Sequence, residues 1–234
     1  MPRKIKVLRK DAKEPDEFIS TSSLVFAYLR NNYRTLAPVA GAVVLLVLIT
    51  VGWYYYRAGK ERAARNDLNQ AVTVYHMTAS AQADQPPDQR HREALERFNA
   101  LVESYPGTAS AVQALFYLGE SSYHVKEYDK AIDYYTRFIE QSSTGNYLQC
   151  FALEGLGYCY EEKADYLKAL DFYKRALGMQ TNAVADLLNL AIARCYEALD
   201  DKANALDYYK KVTTDTSASL LLTIARDRIS ALTP

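Results

Sequence analysis

Three cysteines, three histidines and a short run of glutamates are the residues of this 234-residue chain whose types could do chemistry. Cys150, Cys159 and Cys195 form no C-x-x-C pair, and an odd number cannot close a disulfide framework. His76, His91 and His124 lack the His-x-x-x-His spacing and stand in no Cys–His cluster, so zinc has no ligand set. Glu154, Glu161 and Glu162 could act as a general acid and base, but no nucleophile or metal ligand accompanies them. A phosphate-cradling glycine loop, a G-x-S-x-G elbow and an H-E-x-x-H helix are all missing. The expectation is a protein without catalysis, cofactor or metal. The cysteines then read as packing residues: Cys159 and Cys195 share the register of Ser121, where a small, partly buried group suits close helices.

Composition points to a folded chain. Hydrophobic residues make up 49% and charged residues 24%, which is far from a disordered balance. Lys plus Arg equals Asp plus Glu at 28 each, and the zero sum argues against nucleic acid, which needs a basic excess. The halves differ, however. Residues 1–35 carry eight basic and four acidic groups, whereas residues 57–234 carry twenty basic and twenty-four acidic ones.

Between them lies Leu36–Tyr56, LAPVAGAVVLLVLITVGWYYY, with no charge. At about 1.5 Å rise per residue a helix of this length crosses a hydrocarbon core of about 30 Å. Trp53, Tyr54, Tyr55 and Tyr56 cluster at one end, where amphipathic rings prefer the headgroup level, and Pro38 sits near the helix start. A long charged region precedes the run and WYYYR replaces a small-x-small cleavage pattern, so an uncleaved anchor is expected. The short basic tail places residues 1–35 in the cytoplasm by the positive-inside rule. Arg57, Lys60, Arg62 and Arg65 just past the span pull toward the reverse orientation. Within the tail, Phe18, Ile19, Leu24, Val25, Tyr28 and Leu29 leave a loose apolar stripe for a short amphipathic helix.

Residues 57–234 repeat themselves. LFYLGESSYHVKEYDKAIDYYTRFI, LEGLGYCYEEKADYLKALDFYKRAL and NLAIARCYEALDDKANALDYYKKVT align without gaps, in register at Ala131, Ala169 and Ala205. Tyr135, Tyr173 and Tyr209 follow by four residues, and Gly119, Gly157 and Ala193 precede by twelve. A degenerate upstream copy is set by Ala94, Phe98, Leu101 and Pro106. The spacing predicts pairs of antiparallel helices in which small residues let the partners approach, with apolar side chains at i, i+3 and i+4 filling the seam. One pair cannot bury its apolar face alone, so the pairs stack, and Ser217–Leu232 covers the last exposed face. The fold class expected is all-α: one N-terminal transmembrane helix, then an α-solenoid of three to four helix pairs with a C-terminal capping helix.

Leu156, Gly157, Tyr160, Ala169, Tyr173 and Ala176 meet the L-G…Y…A…Y/F…A pattern, and over Asp67–Leu232 the chain resembles the tetratricopeptide repeat family. It departs at Ser122, where Tyr is usual, and at Ala193, where Gly is usual; the closing Pro survives only as Pro106. The order of basic tail, single span ending in Gly52, Trp53 and Tyr54–Tyr56, and repeat domain resembles the bacterial ancillary Sec-translocon-subunit family. That resemblance implies a single-pass inner-membrane protein with a periplasmic repeat domain, associated with the Sec channel and periplasmic chaperones.

The repeat resemblance also implies a concave binding face lined by the first helix of each pair. In this register its residues are Phe116, Glu120 and Tyr123, then Phe151, Glu154, Tyr158, Glu161 and Glu162, then Leu190, Arg194 and Glu197. Such a groove is aromatic and acidic and suits a peptide with apolar anchors and basic groups. A clamp for a C-terminal carboxylate is disfavoured, since only Arg194 could meet one. The function expected is a membrane-tethered scaffold or adaptor for protein or peptide partners, and the alternative is a cytosol-facing targeting receptor.

Overall fold

The computed structural model describes residues 26, 28–79, 87–143, 147–179, 185–212 and 219–233. The helices are α1 Tyr33–Ala79, α2 Pro87–Ser104, α3 Ala109–His124, α4 Tyr128–Gln141, α5 Leu148–Glu162, α6 Tyr166–Leu177, α7 Ala185–Ala198, α8 Lys202–Lys211 and α9 Ser219–Leu232. The chain divides into two compact units, Met1–Arg57 and Ala58–Pro234. Most of the tail's predicted amphipathic helix lies outside the described residues; Tyr28 and Leu29 are helical and exposed.

In the first unit the apolar run is fully helical, and Val39, Leu45, Leu46, Leu48 and Ile49 are exposed. This is the one helix among the described residues long and apolar enough to cross a membrane, and none of its apolar stretch is buried within the protein. The helix begins at Tyr33, three residues before the expected start, so Pro38 lies inside it. There Pro38 withholds the amide that would bond the Arg34 carbonyl. The guanidinium of Arg57 lies 4.9 Å from the Trp53 ring centroid.

In the second unit each repeat is a helix pair. The residues that set the sequence register are the most deeply buried: Ala94, Ala131, Ala169 and Ala205 have no exposed surface, nor do Phe98 and Tyr173. The degenerate first pair is made by residues 58–79 of α1 with α2, and Leu68 and Ala71 join Ala94, Phe98 and Leu101 in its core. Glu61 does a further job. Its carboxylate accepts the Ala109 and Ser110 amides (2.8 and 3.2 Å) and the Ser110 hydroxyl (2.7 Å), capping the start of α3. An anion there meets both the orphan amides and the positive end of the helix dipole.

The turn within each of the last three pairs is built the same way. Lys126, Ala164 and Asp200 take left-handed φ of 63°, 57° and 59°. The next amides, on Glu127, Asp165 and Asp201, bond back to Ser122, Tyr160 and Tyr196, closing a Schellman turn. The capping helix α9 packs Leu221, Ala225, Ile229 and Leu232 against Ala193, Ala205 and Tyr209.

Close approach within a pair is a matter of tyrosine against glycine. A Cβ placed on Gly119 would fall 2.6 Å from the Tyr135 ring, and one on Gly157 would overlap the Tyr173 ring. In the last repeat buried Ala193 packs with Tyr209, so one methyl is accommodated there. Gly157→Ala therefore has to displace a buried tyrosine. It should cost about 1–3 kcal/mol and lower the Tm by roughly 2–4 °C per kcal/mol; an unchanged melt would contradict this packing.

Candidate functional site

The inner face is built by the same tyrosines. Each one reaches past its glycine or alanine and donates its hydroxyl to a glutamate on the first helix of its own pair. Tyr135 donates to Glu120 (2.5 Å), Tyr173 to Glu161 (2.7 Å) and Tyr209 to Glu197 (2.9 Å). The hydroxyl of a buried ring needs a partner, and a carboxylate at the mouth of the seam supplies it. The expected row of glutamates is thus present, with its acceptor oxygens partly used inside the fold.

Two of the three glutamates are also matched by a cation from the next inner helix. Arg194 of α7 donates Nε and Nη2 to Glu161 at 3.0 Å each. Arg228 of α9 donates Nε to Glu197 at 3.1 Å and forms an ion pair with it through Nη2. Bidentate guanidinium–carboxylate geometry fixes consecutive repeats relative to each other.

The third glutamate meets a different environment. Glu120, with Phe116 and Tyr123 of α3 and Phe151, Glu154 and Tyr158 of α5, lines a cavity of about 270 Å³. His124, Gly155 and the Tyr135 ring complete it. Phe116 is largely buried, with its ring 6.1 Å from that of Tyr135. Phe151 stands at the rim, 36% exposed. The ring centroids of Tyr123 and Tyr158 are 6.2 Å apart, and Tyr158 donates its hydroxyl to Glu154 (3.2 Å). Burial pushes the Tyr123 phenol up to about 12, with Glu162 and other nearby groups adding to the rise.

Six of the predicted site residues therefore share one cavity. Arg194 and Glu197 instead line a second one, of about 370 Å³, with Tyr209, Ile224 and Arg228. Glu161 is held between Tyr173 and Arg194, and Glu162 accepts from the Tyr128 hydroxyl (3.2 Å) near the end of α5. Leu190 does not face a groove. It is 5% exposed and packs with Ala205, Tyr209 and Val212, because the helix that follows it in the stack covers that side of α7.

Gly155 and Tyr135 of the cavity were not legible as site residues. A Cβ on Gly155 would fall 2.5 Å from Tyr135 Cζ, so Tyr135 is gripped by glycines from two successive repeats. Gly155 lies two positions before the motif glycine and outside the repeat pattern, which is why spacing alone passes over it.

The thiols fit the packing role. Cys150, Cys159 and Cys195 are buried and unbridged, and burial pushes the Cys159 and Cys195 thiols up to about 12. Among the described residues no group of three or more His, Cys, Asp or Glu is placed to hold a metal ion.

Comparison with known proteins agrees with this architecture. Two family models, each described as tetratricopeptide repeat, match residues 110–182 and 186–215. Residues 110–182 and 186–215 thus carry tetratricopeptide repeats. Such repeats are protein-interaction scaffolds and ordinarily not catalytic. Among curated proteins, the Ancillary SecYEG translocon subunit of Neisseria gonorrhoeae (strain ATCC 700825 / FA 1090) is 25% identical over 126 residues. The aligned part is 54% of this chain and 58% of that protein, so the chain spans little more than half the length of this relative. The repeat protein resembles that family.

Among solved structures, the nearly identical TPR-like repeats of a Podosopora anserina protein described as a kinesin light chain superpose with a TM-score of 0.56 at 11% identity, covering 74% of this chain and 86% of theirs. The apo form of RapI gives 0.50 at 16% identity, covering 74% of this chain and 54% of its own. At these identities the likeness concerns the fold.

The electrostatics of the cavity make one prediction. Burial raises the Glu154 carboxyl above its ordinary value of 4.5; the Tyr158 bond pulls it down and Glu120 adds to the rise. Glu120 moves the same way, again through burial, against the Tyr135 bond and the nearby His124. A carboxyl whose pKa rises on folding favours the fold most when protonated. Its contribution is full below the unfolded value and is lost as pH rises through the folded one. Glu154→Gln should therefore raise the Tm at pH 7, and the gain should shrink toward zero as the pH falls below 4.5. Thermal melts across pH check it; a lower Tm at pH 7 would contradict the assigned environment.

Proposed function

We propose that this protein is a membrane-tethered adaptor whose repeat domain holds a polypeptide partner in its inner face. The observation that carries the reading is the aromatic cavity between α3 and α5, open at Phe151 and lined by polar and apolar groups together. Inner faces of this composition suit an extended or helical peptide with apolar anchors. Tethering rests on the exposed, uncharged helix of residues 36–56 with its terminal Trp and Tyr cluster. In this reading residues 1–35 are cytoplasmic, residues 36–56 span the bacterial inner membrane and residues 57–234 form the periplasmic repeat domain. The relative named as a SecYEG translocon subunit supports a place beside that channel, with an exported polypeptide, a chaperone or an envelope-assembly protein as partner.

A second reading has a specific observation behind it. Arg57, Lys60, Arg62 and Arg65 follow the span directly, and a basic flank on that side favours a cytosol-facing domain acting as a targeting receptor.

Two arms of one experiment separate these. Glu140→Cys puts an exposed thiol on α4, while the native cysteines are buried. A membrane-impermeant maleimide should label it in cells whose outer membrane alone is permeabilised; labelling only after lysis would favour the receptor. A photo-crosslinking residue at Phe151 should give polypeptide adducts that the same residue at exposed Leu167 does not. Equal or no adducts at the two positions would refute the adaptor reading.

A further inference from the structure

Among the described residues, arginine–glutamate pairs link the inner helices at two steps and not at the third. Between α5 and α7 a glutamate is matched by an arginine thirty-three residues on, Glu161 with Arg194. Between α7 and α9 the match comes thirty-one residues on, Glu197 with Arg228. Between α3 and α5 the register of Glu161 and Arg194 is occupied by Tyr123 and Tyr158, and the carboxylates Glu120 and Glu154 stand at other positions of those two helices. Where the fold elsewhere sets a guanidinium beside a carboxylate, two carboxylates line one cavity. Among the described residues neither forms an ion pair with Lys or Arg, and their hydrogen-bond donors are the neutral hydroxyls of Tyr135 and Tyr158. His124 is the one basic side chain in the lining. Repulsion between two carboxylates, Glu154 buried and Glu120 half-buried, costs free energy that a cation between them would recover.

The walls suit the rest of a cationic side chain. Phe116 and Phe151 offer apolar surface for a methylene stem, and the rings of Tyr123 and Tyr158 are placed to meet an ammonium or guanidinium. We propose that the cavity between α3 and α5 receives the side chain of a lysine or arginine from the bound polypeptide, with Glu120 and Glu154 as its counter-ions. This rests on the adaptor reading above and names what its groove selects. The partner's cation plays at this step the part that Arg194 and Arg228 play at the other two.

Affinity selection from a random heptapeptide library, acetylated and amidated to remove terminal charges, tests it on the full chain in detergent micelles. Wild type should retain peptides enriched several-fold in Lys or Arg. The isosteric double variant Glu120→Gln/Glu154→Gln should still retain peptides but lose that preference. On the wild type alone, replacing the selected arginine by citrulline, or lysine by norleucine, should weaken binding about tenfold, the scale of a lost charge-assisted bond. Peptides retained without basic enrichment, or a preference that survives in the double variant, would overturn the cation site and leave the adaptor reading standing. Retention of no peptide by the wild type would overturn both.

Discussion

Everything on the inner face follows from a tyrosine ring filling the space that a side chain would occupy on the facing helix. Tyr135 and Tyr173 stand against Gly119 and Gly157, and the pair of helices can approach only because those backbones are bare. A ring buried in this way carries a hydroxyl that must be satisfied, and it emerges at the concave surface, where a carboxylate is the acceptor. Packing in the seam thus dictates the chemistry of the face. A glutamate row on a repeat surface reads at first as a solvated acidic stripe; here it is the polar end of the helix-packing device.

That device needs a further charge, because a part-buried carboxylate next to another buried surface is costly unless it is paired. Arg194 and Arg228 supply it for Glu161 and Glu197 and in doing so link successive repeats. At the step between α3 and α5 the chain has Tyr123 and Tyr158 in that register and leaves Glu120 and Glu154 in a cavity edged by aromatic rings. That cavity combines carboxylates without an arginine or lysine partner, among the described residues, with room for a partner's side chain, so stability and recognition draw on the same residues.

Much of the fold was legible in the sequence. Ala131, Ala169 and Ala205 with their following tyrosines set helix pairs that the structure places with those residues at its centre, and the degenerate copy at Ala94 and Phe98 packs as its spacing implied. What the sequence hid is three-dimensional. Glu61 caps α3 from nearly fifty residues away, and no local pattern marks it. Leu190 has the periodicity of a groove residue, yet its side of α7 is covered by the next helices of the stack. The pairing of each glutamate was also invisible. Glu120 lies three residues before the register shared by Glu161 and Glu197, and only the position of the following inner helix shows which of them meets arginine and which shares a cavity with another acid.

The face carries two unequal cavities, one neutralised internally by arginine and one whose carboxylates would take a partner's cation. Fluorine NMR of the full chain, with 3-fluorotyrosine placed singly at Tyr158 or at Tyr209, reports on each cavity separately. On titration with an arginine-containing peptide recovered by selection, the resonance at position 158 should shift saturably while that at 209 stays in place. A saturable shift at 209 with none at 158 would contradict the account, since the cavity whose carboxylates are already paired would then be the one that binds.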